Sequence, residues 1–278
     1  MKLFEGHEVV VVTGSSQGIG EATALMAAEE GVAAIVVNGR RKEETEAVAA
    51  NLRTMGVRAA AYIGDLSEPG KATGLIDFAV GKFGRIDLLV NNVGVSDRSN
   101  LAELTAEEIL RMMNINLIPA MLSTQAAVAA MRKLNIAGSI VCNGSMNGIV
   151  GQGNLVAYSA TKAALANFIA TAGHQIAVEH AGAFKSANPL PWIRLNGVHT
   201  PWTYSPGETM YKRQENPDTP DDWWKNPPLG GVPRGVMTTV KEVARVFLML
   251  GSPFFSHINA QNWQVEQFNL AGPPNRVV

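Results

Sequence analysis

The chain has 278 residues, 46% of them hydrophobic and 17% charged, enough to bury a large core in one domain spanning 1–278. A formal net charge of −1 leaves no cationic surplus, so neither nucleic acid nor an anionic membrane is an expected partner; small molecules and other subunits are. A single cysteine, Cys142, excludes an internal disulfide, no apolar run approaches the ~20 residues of a membrane span, and no signal-type stretch follows Met1, so a cytoplasmic location is expected.

In chain order, the β-branched run at 9–12 predicts a strand, 19–30 a helix, 33–37 a strand and 42–55 a helix. Further strands are predicted at 59–63, 86–90, 139–142 and 193–198, with helices at 71–83, 106–132 and 158–180. Near-continuous apolar strands separated by helices imply an α/β fold, a Rossmann-type doubly wound parallel sheet flanked by helices. Beyond Asn196 the texture changes. An excursion at about 200–235 carries Trp202, Trp223 and Trp224 among prolines and charges; it reads either as a surface loop packing its own aromatics or as a lid over a substrate pocket.

Directly after the first strand stands Thr13-Gly14-Ser15-Ser16-Gln17-Gly18-Ile19-Gly20. Glycines spaced in this way give a tight turn, an open approach to a pyrophosphate and close packing of the following helix, whose N-terminus faces the phosphates. At the end of the second strand, Asn38-Gly39-Arg40-Arg41 has no carboxylate to hold the adenosine ribose hydroxyls, whereas Arg40 can pair with a 2′-phosphate. NADP(H) is therefore the expected cofactor ahead of NAD(H), although both arginines could also be plain solvated residues of a turn.

Together with later motifs, these residues resemble the short-chain dehydrogenases/reductases over at least residues 8 to 198. Gly64-Asp65-Leu66 is similar to the acidic turn after the third strand, and Asn91-Asn92-Val93-Gly94 to the NNAG motif with valine for alanine. Tyr158-Ser159-Ala160-Thr161-Lys162 is the YxxxK signature, with Ser145 thirteen positions earlier (158 − 145 = 13) and Asn116 at the place of the family's asparagine. The resemblance implies cofactor contacts from Gly14, Ser16, Gln17, Gly18, Ile19, Gly20, Arg40, Asp65, Leu66, Asn92, Gly94, Tyr158, Lys162, Thr200 and Ser205. It implies catalysis by Asn116, Ser145, Tyr158 and Lys162, no metal, and a homotetramer or homodimer built on Ala-rich helix faces.

On a helix, Tyr158 and Lys162 are i,i+4 neighbours, so the ammonium can stabilise the phenolate and lower the phenol's ordinary pKa of ~10. Tyr158 would then serve as general acid or base, exchanging a proton with the ketone or alcohol oxygen as hydride moves to or from the nicotinamide. Ser145 would hold that oxygen; by resemblance Lys162 also binds the nicotinamide ribose, and Asn116 positions a water that links Lys162 to solvent.

The chain departs from the family where N-x-V-x-P-G becomes Asn196-Gly197-Val198-His199-Thr200-Pro201, with the later threonine position falling on Ser205 or being served by Thr203. Proline at the glycine position forbids positive φ and removes an N–H, so an altered backbone beside the nicotinamide is expected. The link at 184–192 is lengthened, and the terminal VDGG-like turn reads Val265-Glu266-Gln267-Phe268, a weak signal for a seventh strand. His174, His180 and His199 lack the clustering of metal ligands and read as surface or packing residues. The sequence thus reads as an NADP(H)-dependent oxidoreductase of a secondary alcohol or ketone, with the aromatic excursion hinting at a bulky or aromatic substrate. Rivals are an NAD-dependent ring-diol or hydroxysteroid dehydrogenase and a catalytically silent cofactor-binding regulator.

Overall fold

The computed structural model describes residues 2–225, 232 and 235–265. Strand β1 (Val9–Val12), helix α1 (Gly18–Glu29), β2 (Ala34–Gly39), α2 (Lys42–Thr54), β3 (Arg58–Ile63), α3 (Lys71–Phe83) and β4 (Leu88–Asn91) form the first half. Then come α4 (Ala106–Asn116), α5 (Ile118–Lys133), β5 (Ser139–Asn143), the long α6 (Val156–Ala183) and β6 (Arg194–His199). The excursion supplies β7 (Thr203–Tyr204), α7 (Pro206–Glu215) and β8 (Thr238–Thr239), followed by α8 (Val240–Gly251) and β9 (Asn262–Gln264).

Seven strands make one sheet in the order β3-β2-β1-β4-β5-β6-β9, every pair parallel, which is the doubly wound architecture read from the sequence. Parallel strands need helical crossovers, so both faces are covered and all four valines of β1 are fully buried. They alternate between the two layers: Val10 and Val12 join Ala24, Leu52 and Phe247 on one face, while Val11 joins Leu75, Met131 and Leu165 on the other. The order reverses between β1 and β4, and the crevice at their carboxyl ends is where such sheets bind ligands.

One expectation is corrected and two are given detail. The single helix expected at 106–132 is two helices, because Pro119 cannot donate an N–H to the turn before it and the path bends at Leu117 (φ −116°, ψ −58°). The seventh strand, only faintly signalled, forms as β9 and pairs with β6; residues 266–268 of the terminal turn lie outside the described residues. The excursion carries regular structure, with β7 paired to β8 and α7 capped by Ser205, although 226–231 and 233–234 lie outside the described residues. Its aromatics form a small core around Trp223 and Met237, with Trp202 5.8 Å from Trp223 and Tyr204 stacked at 4.9 Å on Trp224. Among the described residues no helix is long and apolar enough to cross a membrane.

Candidate active site and cofactor cradle

The turn from β1 into α1 is shaped by what glycine omits. A Cβ on Gly20 would lie 2.4 Å from the Gly14 carbonyl oxygen and 2.7 Å from Asn92 Nδ2, so α1 can come this close only without one. Gly14 and Gly18 take φ of +59° and +65°. Gln17 caps α1 without a side-chain hydrogen bond, leaving the first N–H groups free of side-chain partners and suited to a phosphate. The turn is braced from behind by Asn38, whose Oδ1 accepts from the Gly14 N–H (3.2 Å) and whose Nδ2 donates to the Tyr62 and Gly64 carbonyls (both 3.1 Å).

Position 39 is tightly enclosed: a Cβ there would fall 2.3 Å from Thr45 Oγ1 and 2.8 Å from Ser16 Cβ, so a side chain would have to displace those of Thr45 and Ser16. Arg40, 68% exposed, reaches Asp65 at 3.4 Å, and Arg41 donates to Gln17 Oε1 at 2.8 Å, so two guanidinium groups stand at the rim of the glycine turn. Burial pushes the Asp65 carboxyl up, but bonds from the Ser67 hydroxyl and N–H and the Arg40 charge outweigh it and leave its pKa lowered. Leu66 is buried in the core beneath and Ile19 packs against the opposite layer, so these two shape the cradle from below.

The second cluster gathers at the ends of β5 and α6. Lys162 is buried, its Nζ donating to the Asn143 carbonyl (2.8 Å) and lying 5.7 Å from the Tyr158 ring centre. Burial pulls its pKa down to about 8, with Cys142 acting in the opposite sense. Ser145 caps the short turn after β5 and acts on the Tyr158 phenol, lowering its pKa. Contrary to expectation, the Tyr158 phenol is raised above its ordinary value of 10: burial dominates, the Ser145 bond lowers it, and Glu208 raises it further. Lys162 does not reverse this, because its ammonium is turned into the Asn143 carbonyl and is itself stripped of water.

Asn116 sits at the end of α4, where its Oδ1 accepts from Val95 N–H (2.8 Å) and its Nδ2 donates to Val95 O (3.0 Å) and Thr161 Oγ1 (3.3 Å). A Cβ on Gly94 would lie 3.2 Å from Asn116 Oδ1 and 3.4 Å from Lys162 Nζ, which places Asn116, Gly94 and Lys162 in one cluster. Asn92 spans the two clusters, donating to the Thr13 and Gly14 carbonyls and accepting from Asn143 Nδ2 (2.9 Å).

At the departure from the family motif, the Thr200 hydroxyl donates to Asn143 Oδ1 (3.1 Å) or the Gly144 carbonyl (3.2 Å), so it faces protein. Thr203 turns its hydroxyl onto the Pro201 carbonyl (2.9 Å), while Ser205 caps α7 and lies 4.0 Å from where a Gly18 Cβ would be. Of the candidates in this segment, Ser205 is thus the one set against the glycine turn. Sequence reasoning missed four residues: Asn38, Asn143, Glu208, and His199 as a brace. His199 Nδ1 lies 2.8 Å from the Ser145 carbonyl, and burial lowers its pKa, so the ring is neutral and donates that proton. His180 packs edge-on to Trp192, as expected, and His174 is exposed.

A family model described as short chain dehydrogenase matches residues 8–186. The chain is 33% identical over 163 residues to an L-rhamnose 1-dehydrogenase (NAD(P)(+)) of Sphingomonas sp., covering 59% of this chain and 64% of that relative, a little under two thirds of its length. It is 32% identical over 198 residues to a glucose 1-dehydrogenase of Gluconobacter oxydans, covering 68% of this chain and 74% of the relative. Among solved structures, an L-sorbose reductase from Gluconobacter frateurii, complexed with NADPH and L-sorbose, matches with a TM-score of 0.86 over 100% of both chains at 23% identity, a likeness of fold. With a family model accounting for more than half of its length, the chain belongs to the short-chain dehydrogenases/reductases.

Proposed function

We propose that this protein interconverts a secondary alcohol and a ketone with NADP(H), using Tyr158 as the proton-transferring group. The observation that carries the reading is the gathering of buried Ser145 and Lys162 at Tyr158, with Lys162 Nζ 5.7 Å from the Tyr158 ring centre. A bound NADPH would supply the hydride, cradled by Gly14 to Gly20 with Arg40 and Arg41 at the 2′-phosphate end; the side-chain-free cap of α1 and the bare position 39 both fit it. NAD(H) is the less favoured alternative.

In reduction, Tyr158 gives its proton to the carbonyl oxygen while Ser145 donates a hydrogen bond to the same oxygen; in oxidation the phenolate takes the proton back. The Lys162 charge favours that phenolate, and Lys162 would hold the nicotinamide ribose of a bound cofactor, while Asn116 keeps the loop at Val95 ordered for a water path to solvent. The substrate is a small molecule. A homodimer or homotetramer is supported by exposed apolar side chains on α4 and α5, among them Leu110, Ile118 and Met121, and by exposed Ala163 and Ala170 on α6.

The test is NADPH oxidation against a panel of ketones by wild type, Tyr158→Phe and Arg40→Ala. Tyr158→Phe is expected to lose about 10²- to 10⁴-fold in kcat with the cofactor still bound. Arg40→Ala is expected to weaken NADPH by about tenfold or more and leave NADH unchanged. Binding of NADPH with no turnover of any ketone would support the silent regulator instead.

A further inference from the structure

We propose that Asn143, at the end of β5, is a positioning residue for the reaction: its side chain ties the placement of the Lys162 ammonium to the glycine turn that would seat the cofactor's phosphates. This rests on the oxidoreductase reading above and adds to it a residue that belongs to neither the glycine turn nor the YxxxK signature.

Two side-chain amides, running in one direction, join the two clusters. Asn92 Nδ2 donates to the Thr13 and Gly14 carbonyls (3.2 and 3.1 Å), which can only accept, so Asn92 must turn its Oδ1 the other way. That oxygen accepts from Asn143 Nδ2 (2.9 Å). Asn143 Oδ1 is thereby turned toward the Thr200 hydroxyl (3.1 Å), a group able to donate, whose other acceptor is the Gly144 carbonyl (3.2 Å). The orientation of each member is set from the turn outward, and hydrogen bonds aligned head to tail polarise and strengthen one another. The near end bears on the phosphate site itself: a Cβ on Gly20 would lie 2.7 Å from Asn92 Nδ2, so the first turn of α1 rests against this amide.

The far end holds the lysine. The Asn143 carbonyl accepts from Lys162 Nζ at 2.8 Å, and the same nitrogen stands 3.4 Å from where a Gly94 Cβ would be and 5.7 Å from the Tyr158 ring centre. An ammonium has three N–H donors. With one of them fixed on Asn143, the directions open to the other two depend on where that carbonyl sits. The carbonyl in turn belongs to a residue whose side chain is pinned on one side by Asn92 and on the other by Thr200. A shift of the glycine turn therefore reaches the ammonium through two amides, and a shift of the ammonium reaches the turn by the same route.

The experiment is a binding cycle: NADPH affinity by fluorescence titration in wild type, Asn143→Leu, Lys162→Met and the double variant. Alongside it, kcat and KM are measured at saturating NADPH with a ketone that wild type reduces. Leucine keeps the size of the side chain and the backbone carbonyl and removes both side-chain bonds. Asn143→Leu is expected to weaken NADPH roughly tenfold in the presence of Lys162 and only about threefold in its absence, since the share passing through the lysine is already lost. It is also expected to lower kcat about tenfold with the ketone KM unchanged, a split that loss of fold alone does not produce. Thr200→Val is expected to show both effects at about threefold, and Thr200→Ser, which keeps the hydroxyl, to match wild type. That pair decides the question if a member of the cycle fails to fold or to bind. Additive losses in the cycle, or wild-type affinity and kcat in Thr200→Val, overturn the coupling and leave the oxidoreductase reading standing. Wild type that binds NADPH and reduces no ketone overturns that reading, and this inference with it.

Discussion

Two titrations divide the labour around Tyr158. Its phenol lies above 10, so across the neutral range it carries the proton that reduction requires. Lys162, brought down to about 8 from an ordinary 10.5, is charged below that pH and neutral above it. A neutral lysine no longer stabilises the phenolate left by proton donation, so kcat/KM for ketone reduction is expected to be flat from pH 6 to about 7.5 and to fall above about 8. Alcohol oxidation needs the phenolate and is expected to rise with pH over the same span. Profiles measured in both directions check this; a reduction rate still level at pH 9.5 would remove the Lys162 charge from the mechanism. At this scale the sequence revealed identities better than environments: the i,i+4 spacing of Tyr158 and Lys162 was readable, but the Asn143 carbonyl that captures the ammonium and the Glu208 charge come from chain-distant segments that spacing does not encode.

Among the elements, α1 depends most on a single atom's absence. With Gly20→Ala, the new Cβ meets backbone at the Gly14 carbonyl, where no flexible side chain can yield, so the helix must shift away from β1. The expected result is a loss of about 1–3 kcal/mol, read as a lower Tm, together with weaker NADPH binding by titration; an unchanged Tm and affinity would show that the turn has slack. Elements with strong local patterns were legible: the helix read at 71–83 forms as Lys71–Phe83, and the β1 strand falls where its valines do. The break at Leu117 was missed because the apolar period continues across Pro119. The excursion was ambiguous for a different reason: its aromatics turn toward one another, which local periodicity cannot show.

For the whole molecule, the telling feature is Asn143. Its carbonyl accepts from Lys162, its amide donates to Asn92, and its side-chain oxygen accepts from Thr200, so one residue at the end of β5 joins segments from α6, the loop after β4 and the end of β6. None of these bonds is local: Asn92 is 51 residues away and Thr200 is 57. Closing such distant contacts is slow compared with helix formation, and the centre cannot exist until β1, β4, β5 and β6 lie side by side. During refolding from denaturant, helical circular dichroism is therefore expected to recover first, with the capacity to bind NADPH, followed by its fluorescence, returning only in the slowest phase. The junction that orders the reacting groups also makes competence the last property the chain acquires, and binding in the earliest phase would contradict that order.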